Sequence, residues 1–370
     1  MKILFVAARW DPKDPDSGSG LDYNAYITLK KYWPDIKIVG PFKSDQNLLE
    51  RGVDKLSRLI TKKRFLKFYP SYIRLSNRIV QKAIESYQPD LIFSKSSIPM
   101  MNVDYPCPFF YMTDSSIEWV KKQWPYFTDL GFAIMQKWER KVIDKASHIL
   151  TFSEANGDVL KDFYQKPAEQ VTIHPVPSSL PHKQCGFVEK TLDPTKPIRL
   201  ILVGRAFHRK GVDIAMEVTQ MLNKYGIPTQ LRVVGQDGPS SEHIQFMGLY
   251  SKNEPETQAQ YLENYRWAHF HMFPSRFDTA GITPSEAAGF GVPTITNAAG
   301  GLATTVKDGV SGIVLPENSP ASRYVDVIKG YVEHPQSYHA LRQTTYQRYQ
   351  LELTWDALGE VFVSIIDKLV

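Results

Sequence analysis

Residues 273–316 read FPSRFDTAGITPSEAAGFGVPTITNAAGGLATTVKDGVSGIVLP. The run holds the end of one apolar strand, His269 to Phe273, stopped by Pro274. Thr283-Pro-Ser-Glu286 then predicts a helix start, with proline at the first helical position and glutamate three residues after the cap. Gly289 and Gly291 end that helix, Val292 to Thr296 predicts the next strand, and Gly300-Gly301 open a turn towards Asp308-Gly309. A strand, a helix and a second strand in so few residues are the unit of a parallel, doubly wound α/β sheet.

The same alternation runs through the chain. Lys2–Ala7, Lys37–Gly40, Pro89–Ser94, Pro108–Met112 and Ala146–Ser153 are apolar strands of a first sheet. Ile198–Val203, Leu231–Gly235 and His269–Phe273 belong to a second. At 370 residues two domains are expected, and HPVPSSLPHKQ, rich in proline and without periodicity, predicts the linker. Composition is that of a soluble globular protein, with 42% hydrophobic and 22% charged residues. No apolar run reaches membrane-span length, MKILFVAARWDP is too short for a signal peptide, and Cys107 and Cys185 have no metal or disulfide spacing. A cytoplasmic protein is expected.

Charge is uneven. Residues 1–190 hold 28 Lys and Arg against 21 Asp and Glu, a balance of +7, and residues 191–370 hold 16 against 18, a balance of −2. Residues 43–82 alone carry 11 basic and 3 acidic residues, with Phe65, Phe68, Tyr69 and Tyr72 among them. An anionic membrane surface is one partner for such a stretch, and a solvated helix whose rings enter the core is the other reading. No helix-turn-helix, RNP or zinc pattern supports nucleic acid.

Several polar groups fall where an open α/β sheet binds ligands, at the carboxyl ends of its strands. Gly18 and Gly20 precede a helix near Leu21 and either let backbone approach a phosphate or sugar or simply form a flexible loop. Asp114, after the PFFYM strand, is placed to accept a proton or to cap the following helix. Gly204, Arg205 and Lys210 follow IRLILV in GRAFHRKGVD, where two cations can neutralise an anionic leaving group or sit as exposed loop charges.

Asp278 and Glu286, separated by seven residues and followed by EAAGFGVPTI, AGG and KDGVSGIVLP, resemble the donor-site signature of the retaining glycosyltransferases of family four (glycosyl transferases group 1). The family usually has Glu at both ends of the spacer; this chain has Asp278 at the first, and Ala280 replaces the aromatic before the central glycine. Thr113 stands where the family commonly has a histidine. The resemblance implies the GT-B fold, two facing Rossmann-like domains with the active site in the cleft between them. It places an acceptor domain over 1–185, a donor domain over 186–353 and a helix over 354–370 that crosses back.

By the same resemblance Arg205 and Lys210 neutralise the diphosphate of a UDP- or GDP-type sugar donor, Glu286 holds the ribose and Asp278 orients the sugar. Gly281, Ile282 and Thr283 lie at the diphosphate, Gly235 and Leu249 flank the base, and Gly18 and Gly20 frame the cleft. Without the resemblance, Glu286 reads as half of a capping box and Asp278 as a loop cap. No Asp-x-Asp metal motif accompanies these residues, and no metal is expected. The implied activity is sugar transfer with retention to a hydroxyl acceptor such as a lipid-linked glycan, in cell-surface polysaccharide or glycolipid synthesis. A sugar-nucleotide-binding protein without transfer and a sugar-nucleotide epimerase are the alternatives.

Overall fold

A computed structural model describes all residues except Ser44, Asp45, Lys122, Trp124, Pro194 and Lys252. The chain divides into two units, Met1–His174 with Gly359–Val370, and Pro175–Leu358. The sequence reading sets the first boundary at 185. In the structure the proline-rich segment after His174 packs on the second unit, with Val176 and Leu180 buried and Ser178 N–H donating to the Leu353 carbonyl.

The first unit holds six strands: β1 (Ile3–Val6), β2 (Ile36–Val39), β3 (Leu91–Ser94), β4 (Phe109–Thr113), β5 (His148–Thr151) and β6 (Val171–Ile173). They lie in the order β2-β1-β3-β4-β5-β6, all parallel. The second unit holds β7 (Ile198–Val203), β8 (Thr229–Val234), β9 (Ile244–Phe246), β10 (Phe270–Phe273), β11 (Thr294–Asn297) and β12 (Gly312–Leu315), in the order β12-β11-β10-β7-β8-β9 and again parallel. Both are doubly wound sheets. Their central strands read as continuous apolar runs because helices cover both faces.

Winding in two directions from one strand opens a crevice at the carboxyl edge, where loops after neighbouring strands part. In the first unit this falls between β1 and β3, in the second between β7 and β10. Leu4, Val6, Ile92 and Phe109 pack on one face of the first sheet with Tyr72, Val80 and Ile84 from the Pro70–Tyr87 helix. The other face carries Phe5, Phe93 and Phe110. Phe362 of the Trp355–Ile366 helix closes over it, 5.8 Å from the Phe93 ring and 5.5 Å from Phe110. The last twelve residues thus complete the first unit's core.

Candidate functional site

The second unit brings its charged groups together where topology predicts. The loop after β7 carries Gly204, Arg205, Arg209 and Lys210, and the loop after β10 carries Phe277 and Asp278. The two strands are neighbours, so the loops meet. Lys210 Nζ forms an ion pair with Asp278 Oδ2, and Arg209 Nη1 joins the same oxygen at 3.2 Å. Arg209 also donates to the Phe277 carbonyl at 3.1 Å, and Lys210 Nζ lies 4.5 Å from the centre of the Phe273 ring. Burial would push the Asp278 carboxyl up, but Lys210 and then Arg209 outweigh it and hold the group below the ordinary aspartate range. Asp278 is a carboxylate clasped by two cations.

Its backbone is fixed as firmly. Gly301 N–H donates to the Asp278 carbonyl at 2.9 Å, and Gly300 lies so close that a Cβ there would sit 2.1 Å from that oxygen. With φ at +66°, Gly300 also takes a backbone conformation that a side chain would strain. The paired glycines of the AGG turn are thereby explained.

Glu286 lies in the Ile282–Ala288 helix and is 1% exposed. The capping box expected at Thr283 is not formed: Gly281 is the cap residue, and it makes no side-chain cap bond. Glu286 turns away from the helix start. Its Oε2 accepts from Tyr261 Oη at 2.5 Å and Tyr265 Oη at 2.7 Å, and its Oε1 accepts from Ser179 Oγ. Burial first, then the Glu286 charge, raise both tyrosines well above their ordinary value and keep them protonated donors. Behind this cluster His271 is fully buried and pushed down to about 3, burial outweighing the Glu286 charge, with Thr294 as its hydrogen-bond partner.

The remaining predicted donor residues lie in the same unit. Arg205 is exposed, and its charge acts on Tyr261. Gly235 N–H donates to the Gly248 carbonyl at 2.8 Å, which joins the turns after β8 and β9, and Leu249 next to it is 62% exposed. Ile282 and Thr283 are half-buried beside Gly281, and the Thr283 hydroxyl is buried with no hydrogen-bond partner among the described residues.

Asp114, Gly18 and Gly20 belong to the first unit. Asp114 lines a cavity of about 240 Å³ at the ends of β1, β3 and β4, with Arg9, Asp22, Lys67 and Lys95. Lys95 Nζ is 3.8 Å from Asp22 Oδ2; burial pulls its amine down, but Asp114 and Asp22 outweigh that and raise it. Glu139, on the wall of the same cavity, accepts from Tyr164 Oη at 2.5 Å and Ile117 N–H at 2.7 Å. Burial pushes it up to about 7. Thr113 is engaged by its own turn, donating to the Ser115 carbonyl at 2.8 Å. Gly20 caps the Leu21–Tyr32 helix, and Gly18 packs on Trp10, whose ring a Cβ would meet at 2.6 Å. A neighbouring groove of about 620 Å³ shares Arg9 and Lys67 and adds Arg64 among Phe42, Tyr72 and Phe127.

Arg209, Tyr261, Tyr265 and Ser179 are missed by sequence reasoning, as are Asp22, Lys67 and Lys95. The tyrosines had a signal, since a spacing of four puts both rings on one face of the Pro255–Trp267 helix. Arg209 stands next to a predicted cation. Ser179 and the first-unit lysines had none. Among the described residues no three His, Cys, Asp or Glu are grouped to hold a metal ion.

Residues 187–348 match the family model described as glycosyl transferases group 1. A D-inositol 3-phosphate glycosyltransferase 1 from Catenulispora acidiphila is 30% identical over 224 residues, 55% of this chain and 53% of that protein. The chain thus spans about half the length of that relative. Among solved structures, sucrose-phosphate synthase from Thermosynechococcus elongatus is similar over 100% of this chain and 99% of its own, with TM-score 0.71 and 16% identity. HepE of Anabaena, in complex with UDP and glucose, is similar over 100% of both chains, with TM-score 0.65 and 14% identity. These likenesses show the fold expected from the sequence, GT-B, and the family match bears out the resemblance through the second unit.

Proposed function

We propose that this chain, with the group 1 glycosyltransferase pattern in its second unit on a GT-B fold, is a retaining glycosyltransferase that moves a sugar from a nucleoside diphosphate sugar to a hydroxyl. The observation that carries the reading is the meeting of Arg209, Lys210 and Asp278 at the β7–β10 crevice. As the bond from the anomeric carbon to the diphosphate oxygen breaks, the electron pair stays on that oxygen. Cations already held in place stabilise the growing charge more than they stabilise bound substrate. The acceptor oxygen forms the new bond to the anomeric carbon, and its proton passes to the departing phosphate. Lys210 and Arg205 take the diphosphate, Asp278 accepts from sugar hydroxyls, and Glu286 takes the ribose in exchange for the Ser179 hydroxyl.

The donor is of UDP or GDP type, and no metal enters this scheme. The acceptor is an anionic hydroxyl carrier, such as a lipid-linked glycan in cell-surface polysaccharide or glycolipid synthesis. The cations Arg9, Arg64 and Lys67 around the first unit's groove support that choice. So does the phosphorylated polyol in the Catenulispora relative's name. Asp114 is the acceptor-side carboxylate.

Calorimetric titration with UDP, GDP and ADP, repeated on Lys210→Ala, tests the donor site. One nucleotide should bind selectively, and the variant should weaken it at least about tenfold, or about 1.4 kcal/mol. No binding of any of the three sinks the donor site. Binding without turnover on any acceptor favours the sugar-nucleotide-binding alternative, and conversion of the free sugar nucleotide favours the epimerase.

A further inference from the structure

The Leu48–Thr61 helix is turned inside out. An amphipathic helix on a globular protein buries its apolar stripe and shows its charges to water. Here the acids face inward. Glu50 and Asp54 are each 8% exposed, whereas Leu48, Leu49, Leu56, Leu59 and Ile60 are between 57% and 84% exposed. The polar contacts of the inner face are specific. Glu50 accepts from Asn47 N–H at 3.1 Å and Ser71 N–H at 2.8 Å, and Asp54 accepts from Tyr69 Oη and from Arg58. These bonds lock the helix in that rotation, so the apolar side chains are held outward.

The aromatics that suggested a membrane surface in the sequence are not the exposed groups. Tyr69 and Tyr72 are 4% and 3% exposed and pack inside, with Phe65 and Phe68 against the same cores. Within the basic stretch 43–82, Ser44 and Asp45 lie outside the described residues.

We propose that the outer face of the Leu48–Thr61 helix docks on an anionic lipid bilayer. At 3.6 residues per turn, the outward apolar side chains together with the exposed Val53 span roughly 140° of the helix circumference. Arg51, Lys55 and Arg58 are exposed along one border of that arc, and Lys62 follows at the helix end. Both acids of the helix are buried, so its exposed surface carries apolar and cationic groups and no acid. That combination suits a helix lying in the headgroup layer, with leucines at the acyl boundary and cations among anionic headgroups. A second copy on this face would set like cations against one another. The next helix continues the pattern, with Leu75 and Ile79 exposed among Arg74, Arg78 and Lys82.

The inference deepens the lipid-linked acceptor reading but rests on the first unit's surface alone, so donor binding tests the two apart. The full chain is spun with vesicles of phosphatidylglycerol and phosphatidylcholine, and with phosphatidylcholine alone, at low and high salt. Wild type should pellet with the anionic vesicles at low salt. Leu49→Gln/Leu56→Gln/Ile60→Gln should weaken that at least about tenfold, and Arg51→Gln/Lys55→Gln should weaken it and flatten its salt dependence. Thermal midpoint and circular dichroism should be unchanged in both variants and so certify the fold of the first unit, while nucleotide binding, measured by calorimetry on the same samples, reads the second unit's site separately. Pelleting that is absent in wild type, or equal in the triple variant, overturns the proposal. A vesicle-independent dimer that the triple variant dissolves also overturns it, in favour of a second copy.

Discussion

A buried carboxyl group must find partners or keep its proton, and the two glutamates buried beside tyrosines solve this differently. Glu286 is met by three hydroxyl groups. Glu139 meets one tyrosine and one backbone N–H, and burial pushes it up to about 7 against an ordinary 4.5. Between those two values the folded protein keeps a proton that the unfolded chain has released. Stability from this group is therefore full below about pH 4.5 and is lost as pH rises towards 7. Thermal midpoints at pH 5 and pH 8 should differ more in wild type than in Glu139→Gln, with wild type lower at pH 8 relative to the variant. Equal differences would remove the assignment. None of this was legible in the sequence, because WERKVIDK gives Glu139 no mark that sets it apart from an exposed helix glutamate. Asp278 and Glu286 were singled out by the resemblance to a donor-site signature, and their own residues read only as caps. The Tyr261 and Tyr265 donors were not, because the partner choice of a buried group depends on helix rotation that periodicity does not resolve.

At the scale of elements, strand identity was the most legible property, since apolar runs bounded by proline and glycine leave few alternatives. Helix starts were less so: Thr283-Pro-Ser-Glu satisfies the pattern of a capping box, yet the helix begins two residues earlier, with Gly281 as its cap. Tertiary contact replaces the local pattern, since Glu286 accepts from two phenols and the Ser179 hydroxyl. The AGG turn was legible as a turn but not as a brace for Asp278. Gly300→Ala brings both a strained φ and a Cβ into the Asp278 carbonyl. It should lower the melting temperature and weaken nucleotide binding by about tenfold or more, a loss of about 1.4 kcal/mol. Full binding in that variant would show that the turn has no part in placing the acid. The outward face of the Leu48–Thr61 helix was not legible for a related reason: its basic and apolar content was plain, but which face looks inward is set by Ser71, Tyr69 and Asn47.

For the whole molecule, the pair of doubly wound sheets followed from length and alternation, while the boundary at His174 depended on which unit the proline-rich segment would choose to cover. The return of residues 359–370 to the first unit gives a direct test. Deleting Gly359–Val370 uncovers the Phe93 and Phe110 rings, and the loss of Phe362 alone corresponds to about 3–5 kcal/mol. Hydrogen exchange should rise throughout β1, β3 and β4 and stay close to wild type in β7 and β10. Equal loosening of both units would contradict that division of the core.

The same return crossing sets an order of events on the ribosome. Domains emerging from synthesis ordinarily fold in the order in which they are made. Here the second sheet has all its residues once Leu358 has emerged, while the first, translated long before, still lacks the helix face that shields its phenylalanines. The portion born first is finished last, and through most of translation its aromatic face is the surface a nascent-chain chaperone would meet.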